Sequence, residues 1–86
     1  MRPIRGEPVE VWQRHGKPVR FVWRGRIYTV LFVRDKRTVP EPAEDSAEPG
    51  NRECWLVEAT PERAVPASIF ELCYDAAAER WTLSRS

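Results

Sequence analysis

Hydrophobic and polar residues alternate with a period of two along most of this chain, and that period predicts strands. GEPVEVWQR (6–14) sets Val9 and Val11 against Glu10 and Trp12, and runs into the turn signal HGKP. PVRFVW (18–23) and RIYTVLFV (26–33) follow, dense in β-branched and aromatic residues. RECWLVEA (52–59) predicts a fourth strand and SIFELCYD (68–75) a fifth, with Phe70, Leu72 and Tyr74 on one face. RWTLS (80–84) is the sixth and places Trp81 beside Leu83. Only DAAAER (75–80) has helix propensity, and it is too short to hold a helix unaided, so it predicts a hairpin turn or a single helical turn.

The connections differ in kind. DKRTVPEPAEDSAEPGN, residues 35–51, combines prolines with a run of acids and predicts a long, exposed, mobile loop. TPERAVPA (60–67) is a second proline-containing connection. The expected architecture is all-β: a single domain over 1–86, six mostly antiparallel strands in a meander that closes wholly or partly into a small barrel. Closure is favoured because an open sheet of this size leaves two edges ready to pair with other chains.

Register in the 18–33 hairpin follows from its turn. A type II′ turn wants glycine at its first central position, which selects Gly25-Arg26. That choice pairs Trp23 with Tyr28, Phe21 with Val30 and Val19 with Phe32, and puts all six on the core face. The alternative turn, Arg24-Gly25, sets Phe21 against Tyr28 and Trp23 against Arg26, a poorer match by side-chain type. The other face carries Arg20, Val22, Arg24, Ile27, Thr29 and Leu31, amphipathic rather than polar.

Composition narrows the class. At 86 residues the chain buries roughly 60–65% of its unfolded surface, so one thin core is the limit. With 42% hydrophobic and 31% charged residues it is globular rather than disordered. No apolar run is long enough for a membrane helix and MRPIRGEPVEVW lacks a signal-peptide apolar region, so the expectation is a cytoplasmic protein with no membrane partner. Cys54 and Cys73 do not form a C-x-x-C pair, and with His15 alone they cannot complete a four-ligand zinc site. A reducing cytosol argues against a bridge between them, so they are expected as two small apolar strand residues.

The net charge of +1 hides a division. Residues 1–39 hold ten Lys/Arg and three Asp/Glu, a balance of +7, while residues 40–86 hold four and ten, a balance of −6. Either the first half forms a basic nucleic-acid surface, or the halves pair with each other in the folded sheet. No nucleophile elbow, phosphate loop, zinc-protease helix or dinucleotide fingerprint is present, and neither His15 nor Glu58, Glu71 and Asp75 make a recognisable catalytic set. The expectation is a non-enzymatic module without a cofactor. Arg20, Arg24, Arg26 and Arg34 are its candidate contacts, with Lys36 and Arg37 nearby, and Trp12 is the candidate exposed ring.

The frame P-x-R-F-x-W-R-G-R-x-Y-x-V at Pro18–Val30, C-W-L-V-E-A at 54–59, and F-E-L-C-Y-D followed by R-W-T-L at 70–83 resembles a small actinobacterial family of unknown function. A similar domain stands at the C-terminal end of catalytically defective relatives of Y-family DNA polymerases that act in mutagenic translesion synthesis. The resemblance implies an accessory or interaction module in DNA damage tolerance, with DNA or a repair polymerase component as partner. It brings no functional residues with it. The chain departs from the pattern at the Pro/Glu loop, which stands where relatives carry a shorter segment with a further tryptophan. The runner-up expectation is a protein-interaction or self-association module, monomeric or weakly dimeric, using the Val22, Ile27, Leu31 face or an unpaired strand edge.

Overall fold

Six runs of alternating residues need a shared interior, and a closed sheet provides one without free faces to cover. The computed structural model describes residues 6–41, 50–61, 66–76 and 78–85. It contains β1 (Glu7–Arg14), β2 (Lys17–Trp23), β3 (Arg26–Glu41), β4 (Gly50–Thr60), β5 (Ser68–Asp75) and β6 (Arg80–Arg85). Each strand pairs antiparallel with the next, and β6 returns to β1 to close the barrel. The all-β barrel expected from the alternation is the fold observed.

Inward positions from every strand build one core. Phe21, Trp23, Tyr28, Trp55, Val57, Ala59, Phe70, Leu72, Trp81 and Leu83 are buried, with Val9, Val11, Val30 and Tyr74 packed against them. Phe70 lies at its centre, its ring edge-on to Phe21 at 5.4 Å, Trp23 at 5.4 Å and Tyr28 at 5.3 Å. A second cluster sets Trp55 and Tyr74 against Trp81 at centroid separations of 5.2 and 5.1 Å, with their planes tilted by 37° and 45°. These offset and edge arrangements suit the negative faces and positive rims of the rings.

The β2–β3 turn corrects the expected register. It lies at Arg24-Gly25, not Gly25-Arg26, so Phe21 opposes Tyr28, Val22 opposes Ile27 and Trp23 opposes Arg26. Both central residues have positive φ, 52° and 78°, the signature of a type I′ turn. Arginine in that region is locally unfavourable by about 1–2 kcal/mol. The fold offsets this with contacts that no local rule contains. Phe21 and Tyr28 stack at 5.1 Å with planes 3° apart, and Arg24 lies 4.5 Å over the Trp23 ring while bonding Glu7. The difference is a slip of two residues, which preserves faces, so Trp23 and Tyr28 are core residues as expected.

β3 departs from expectation in two further ways. It runs on to Glu41, pairing Asp35–Glu41 with Gly50–Leu56, so the stretch expected to be a loop from residue 35 begins as ladder. Residues 42–49, the acidic part of that segment, lie outside the described residues. β3 also carries two bulges against β4, with Leu31 inserted between Val30 and Phe32, and Arg34 between Val33 and Asp35. Each insertion inverts the alternation. Phe32, expected in the core beside Val19, therefore pairs with Glu58 and is 64% exposed. The second insertion restores the phase, and Lys36 reaches 5.3 Å over the Trp55 ring.

The cysteines are a correction as well. Cys54 and Cys73 are direct partners on β4 and β5, with Cα atoms 4.1 Å apart, and their sulfurs are joined in a disulfide. The bridge lies on the outer face yet is buried. Arg37, the register partner of Cys54, bonds Glu71 at 2.9 Å on one side, and Arg52 donates to the Thr82 hydroxyl at 3.3 Å on the other.

Closure depends on one glycine. Among the described residues β1 and β6 share three residue pairs, Glu7 with Leu83, Pro8 with Thr82 and Val9 with Trp81. Gly6 enters this seam at φ 102°, where an added Cβ would sit 2.9 Å from the Leu83 carbonyl oxygen and 3.0 Å from the Ser84 hydroxyl. Gly6→Ala is expected to destabilise the domain by about 1–3 kcal/mol through strain at the seam. Urea denaturation checks this, and an unchanged midpoint would show that the seam tolerates a side chain there.

Candidate nucleic-acid interface

Outward positions of β1, β2 and β3 form one continuous convex surface. Register places Trp12 opposite Arg20 and Arg20 opposite Thr29, and beside this row Glu10 opposes Val22 and Val22 opposes Ile27. Trp12 is 47% exposed because it alternates away from Val9 and Val11, which pack inward. Two of the residues expected to contact a partner, Trp12 and Arg20, are thus side by side. Among the described residues Arg20 makes no ion pair.

The remaining candidates divide. Arg26 opens β3 directly after the turn, exposed, opposite Trp23 at the end of β2. Arg24 is engaged within the barrel: its guanidinium lies over Trp23 and bonds the Glu7 carboxylate at 3.1 Å. Glu7 also accepts a hydrogen bond from the Trp23 indole N–H at 3.3 Å, so it ties the turn to the closing strand. Arg34, on the second bulge, bonds Glu58. With Arg37 on Glu71, this pairs cations of the basic half with acids of the acidic half. The charge division is therefore neutralised at Arg34 and Arg37 on β3 and left open at Arg20 on β2. Exposed pairs of this kind contribute little to stability, about 0–1 kcal/mol each, but they remove cations from the set a phosphate would find free.

Arg14 and Lys17 join the interface, although the sequence pattern did not single them out. They are register partners at the β1–β2 tip, where His15 and Gly16 form a second turn with both φ values positive, 54° and 75°. The signal was present in R-H-G-K, because a tight turn at His-Gly brings its flanking residues together. Exposed cations thus run on the outer face from the Arg14–Lys17 pair to Arg20, roughly 10 Å along β2 at strand rise, while Arg26 stands on the other phase, opposite inward Trp23 at the barrel end.

Other chemistry is limited among the described residues. Glu58 and Glu71 are held in ion pairs, and His15 sits exposed in its turn. Cys54, Cys73 and Glu71 offer ligand atoms within 4.8 Å of one another, but the two sulfurs are bonded together and present no thiolate to a metal. No helix of the described residues is long and apolar enough to cross a membrane. An exposed apolar run, Leu31, Phe32 and Val33, marks the outer edge of β3 where the bulges turn it outward.

No curated protein and no solved structure matches the chain. One family model does match, from residue 1 to residue 86, and its description is a domain of unknown function. The chain belongs to that family, DUF6504.

Proposed function

We propose that this domain is a non-enzymatic accessory module that binds single-stranded nucleic acid on the outer face of β1, β2 and β3. The observation that carries the reading is the pairing of an exposed Trp12 with an Arg20 that makes no ion pair among the described residues. A base can stack on the indole while the neighbouring guanidinium takes the adjoining phosphate, the combination that small barrels use for single strands. Arg14 and Lys17 extend the phosphate track on the same face, and Arg26 adds an exposed cation at the barrel end. The sequence resemblance to a domain of Y-family polymerase relatives supports a setting in DNA damage tolerance, beside translesion synthesis.

Fluorescence anisotropy with labelled single-stranded DNA over a salt series tests this. Trp12→Ala is expected to weaken binding by about 5- to 150-fold, the equivalent of about 1–3 kcal/mol for one stacked base. Arg20→Ala is expected to lower the slope of log affinity against log salt by about 0.7, one phosphate contact. An absence of binding at low salt by the wild-type chain sinks the proposal.

A second reading, a protein-interaction module, is favoured by the exposed run Leu31–Phe32–Val33, since scattered apolar residues need no explanation but a run of three on one edge does. The two readings use different parts of the surface. Phe32→Ser leaves the Trp12–Arg20 row intact, so nucleic-acid binding should survive it.

A further inference from the structure

β1 outlasts its partner at the barrel seam. Its ladder with β6 ends at Val9–Trp81, one residue short of the start of β6 at Arg80. From Glu10 to Arg14 the strand is paired with β2 on one side and with nothing described on the other. A groove of about 410 Å³ lies along this open edge, between Glu10, Val11 and Trp12 on one wall and Glu79, Arg80 and Trp81 on the other.

The molecule's other long open edge, β3 beyond Val30, is blunted by its bulges at Leu31 and Arg34 and by Pro40. Such features protect an edge from pairing with other chains. β1 between Glu10 and Arg14 has no proline, and the irregularity in its ladder with β2 places the extra residue, Val19, on β2. A row of backbone N–H and C=O groups left this way is matched only by another extended backbone.

We propose that this edge pairs with the same edge of a second copy, antiparallel, about a two-fold axis through Trp12. The residues are self-complementary in that register. Glu10 faces Arg14 of the second copy, the reciprocal pair repeats on the other side of the axis, Val11 meets Gln13 of the second copy, and the two Trp12 rings lie together. Positions 10, 12 and 14 share the outer face, so all these side chains meet on one side of the joined sheet. Among the described residues neither Glu10 nor Arg14 makes an ion pair. Glu79 and Arg80 line the far wall of the same groove and give it one charge of each sign. The contact is isologous and closes at two copies. It goes beyond the nucleic-acid reading and does not depend on it, and it joins two Trp12–Arg20 rows into one continuous surface.

Sedimentation velocity across a concentration series, without nucleic acid, tests the pairing. The wild-type chain is expected to show a monomer–dimer equilibrium. Glu10→Arg alone puts like charges at both symmetric contacts, and so does Arg14→Glu alone. Each is expected to weaken the dimer by at least about tenfold, or 1.4 kcal/mol. An equimolar mixture of the two single variants restores opposite charges at both contacts and should form a one-to-one heterodimer. The double variant E10R/R14E should recover the homodimer. Both positions are exposed, so circular dichroism of each variant should match the wild type. A wild-type chain that stays monomeric, single variants that dimerise like the wild type, or a mixture that fails to associate overturns the proposal.

Discussion

Phe70→Ala is expected to remove about 3–5 kcal/mol of folding stability, the usual loss when a buried phenylalanine is cut to alanine. For a domain of this length the total is about 4–13 kcal/mol, so the loss is a large fraction of it and should lower the urea midpoint steeply. Position explains why the loss falls at the upper end. Phe70 is 1% exposed and touches Phe21, Trp23 and Tyr28 through ring edges, linking β5 to the β2–β3 hairpin across the barrel. Its removal opens a cavity walled by three rigid rings, which cannot collapse into the space as flexible side chains would. Urea denaturation of Phe70→Ala beside Phe32→Ala separates packing from composition. The second substitution deletes the same atoms from an exposed site and should change stability by no more than about 0.5 kcal/mol. Equal losses from the two would mean that the core does not lie where the ring contacts put it.

Reduction of the Cys54–Cys73 bridge is expected to lower stability by about 3 kcal/mol. The bridge spans 19 positions, including the proline-containing β4–β5 connection, and its main effect is to restrict the unfolded chain. The folded strands are already in register and need little from it. Urea midpoints measured with and without a thiol reductant check the effect, and a Cys54→Ala/Cys73→Ala chain supplies the control, because its midpoint should ignore the reductant. A wild-type midpoint equally indifferent to reductant would show that the thiols are not joined in solution.

How much of this was legible in the sequence depends on the range of the interaction involved. Strand identity was legible because period-two alternation is local, and the core face survived a wrong turn assignment because the error was an even slip. The turn itself was not legible. Arg24 at positive φ is tolerated because Glu7 and Trp23 hold it, and Glu7, 17 positions away, comes beside the turn only through the β1–β2 register. Phe32 was misplaced for a related reason. A bulge leaves no mark in a hydrophobicity pattern, so an unbroken apolar run through Leu31, Phe32 and Val33 resembles a buried strand. The disulfide required the β4–β5 register, which a connection of seven residues does not specify. At the candidate interface, the exposure of Trp12 followed from alternation alone. The engagement of Arg24 and Arg34 by Glu7 and Glu58 followed from neighbours remote in the chain.

The narrowness of the seam bears on how the domain assembles. Hairpins such as β1–β2 and β2–β3 close over two-residue turns and form from near neighbours, whereas β1 meets β6 only after most of the chain has been gathered in between. Long-range closure carries the largest entropic penalty and slows folding. Among the described residues that step is secured by a ladder of three pairs, with Gly6 at its entrance. The β1–β6 junction should therefore be the last part of the wall to form and the first to part. An intermediate made of β2 to β5 would hold the Phe21–Tyr28–Phe70 cluster while leaving Trp81 open to water.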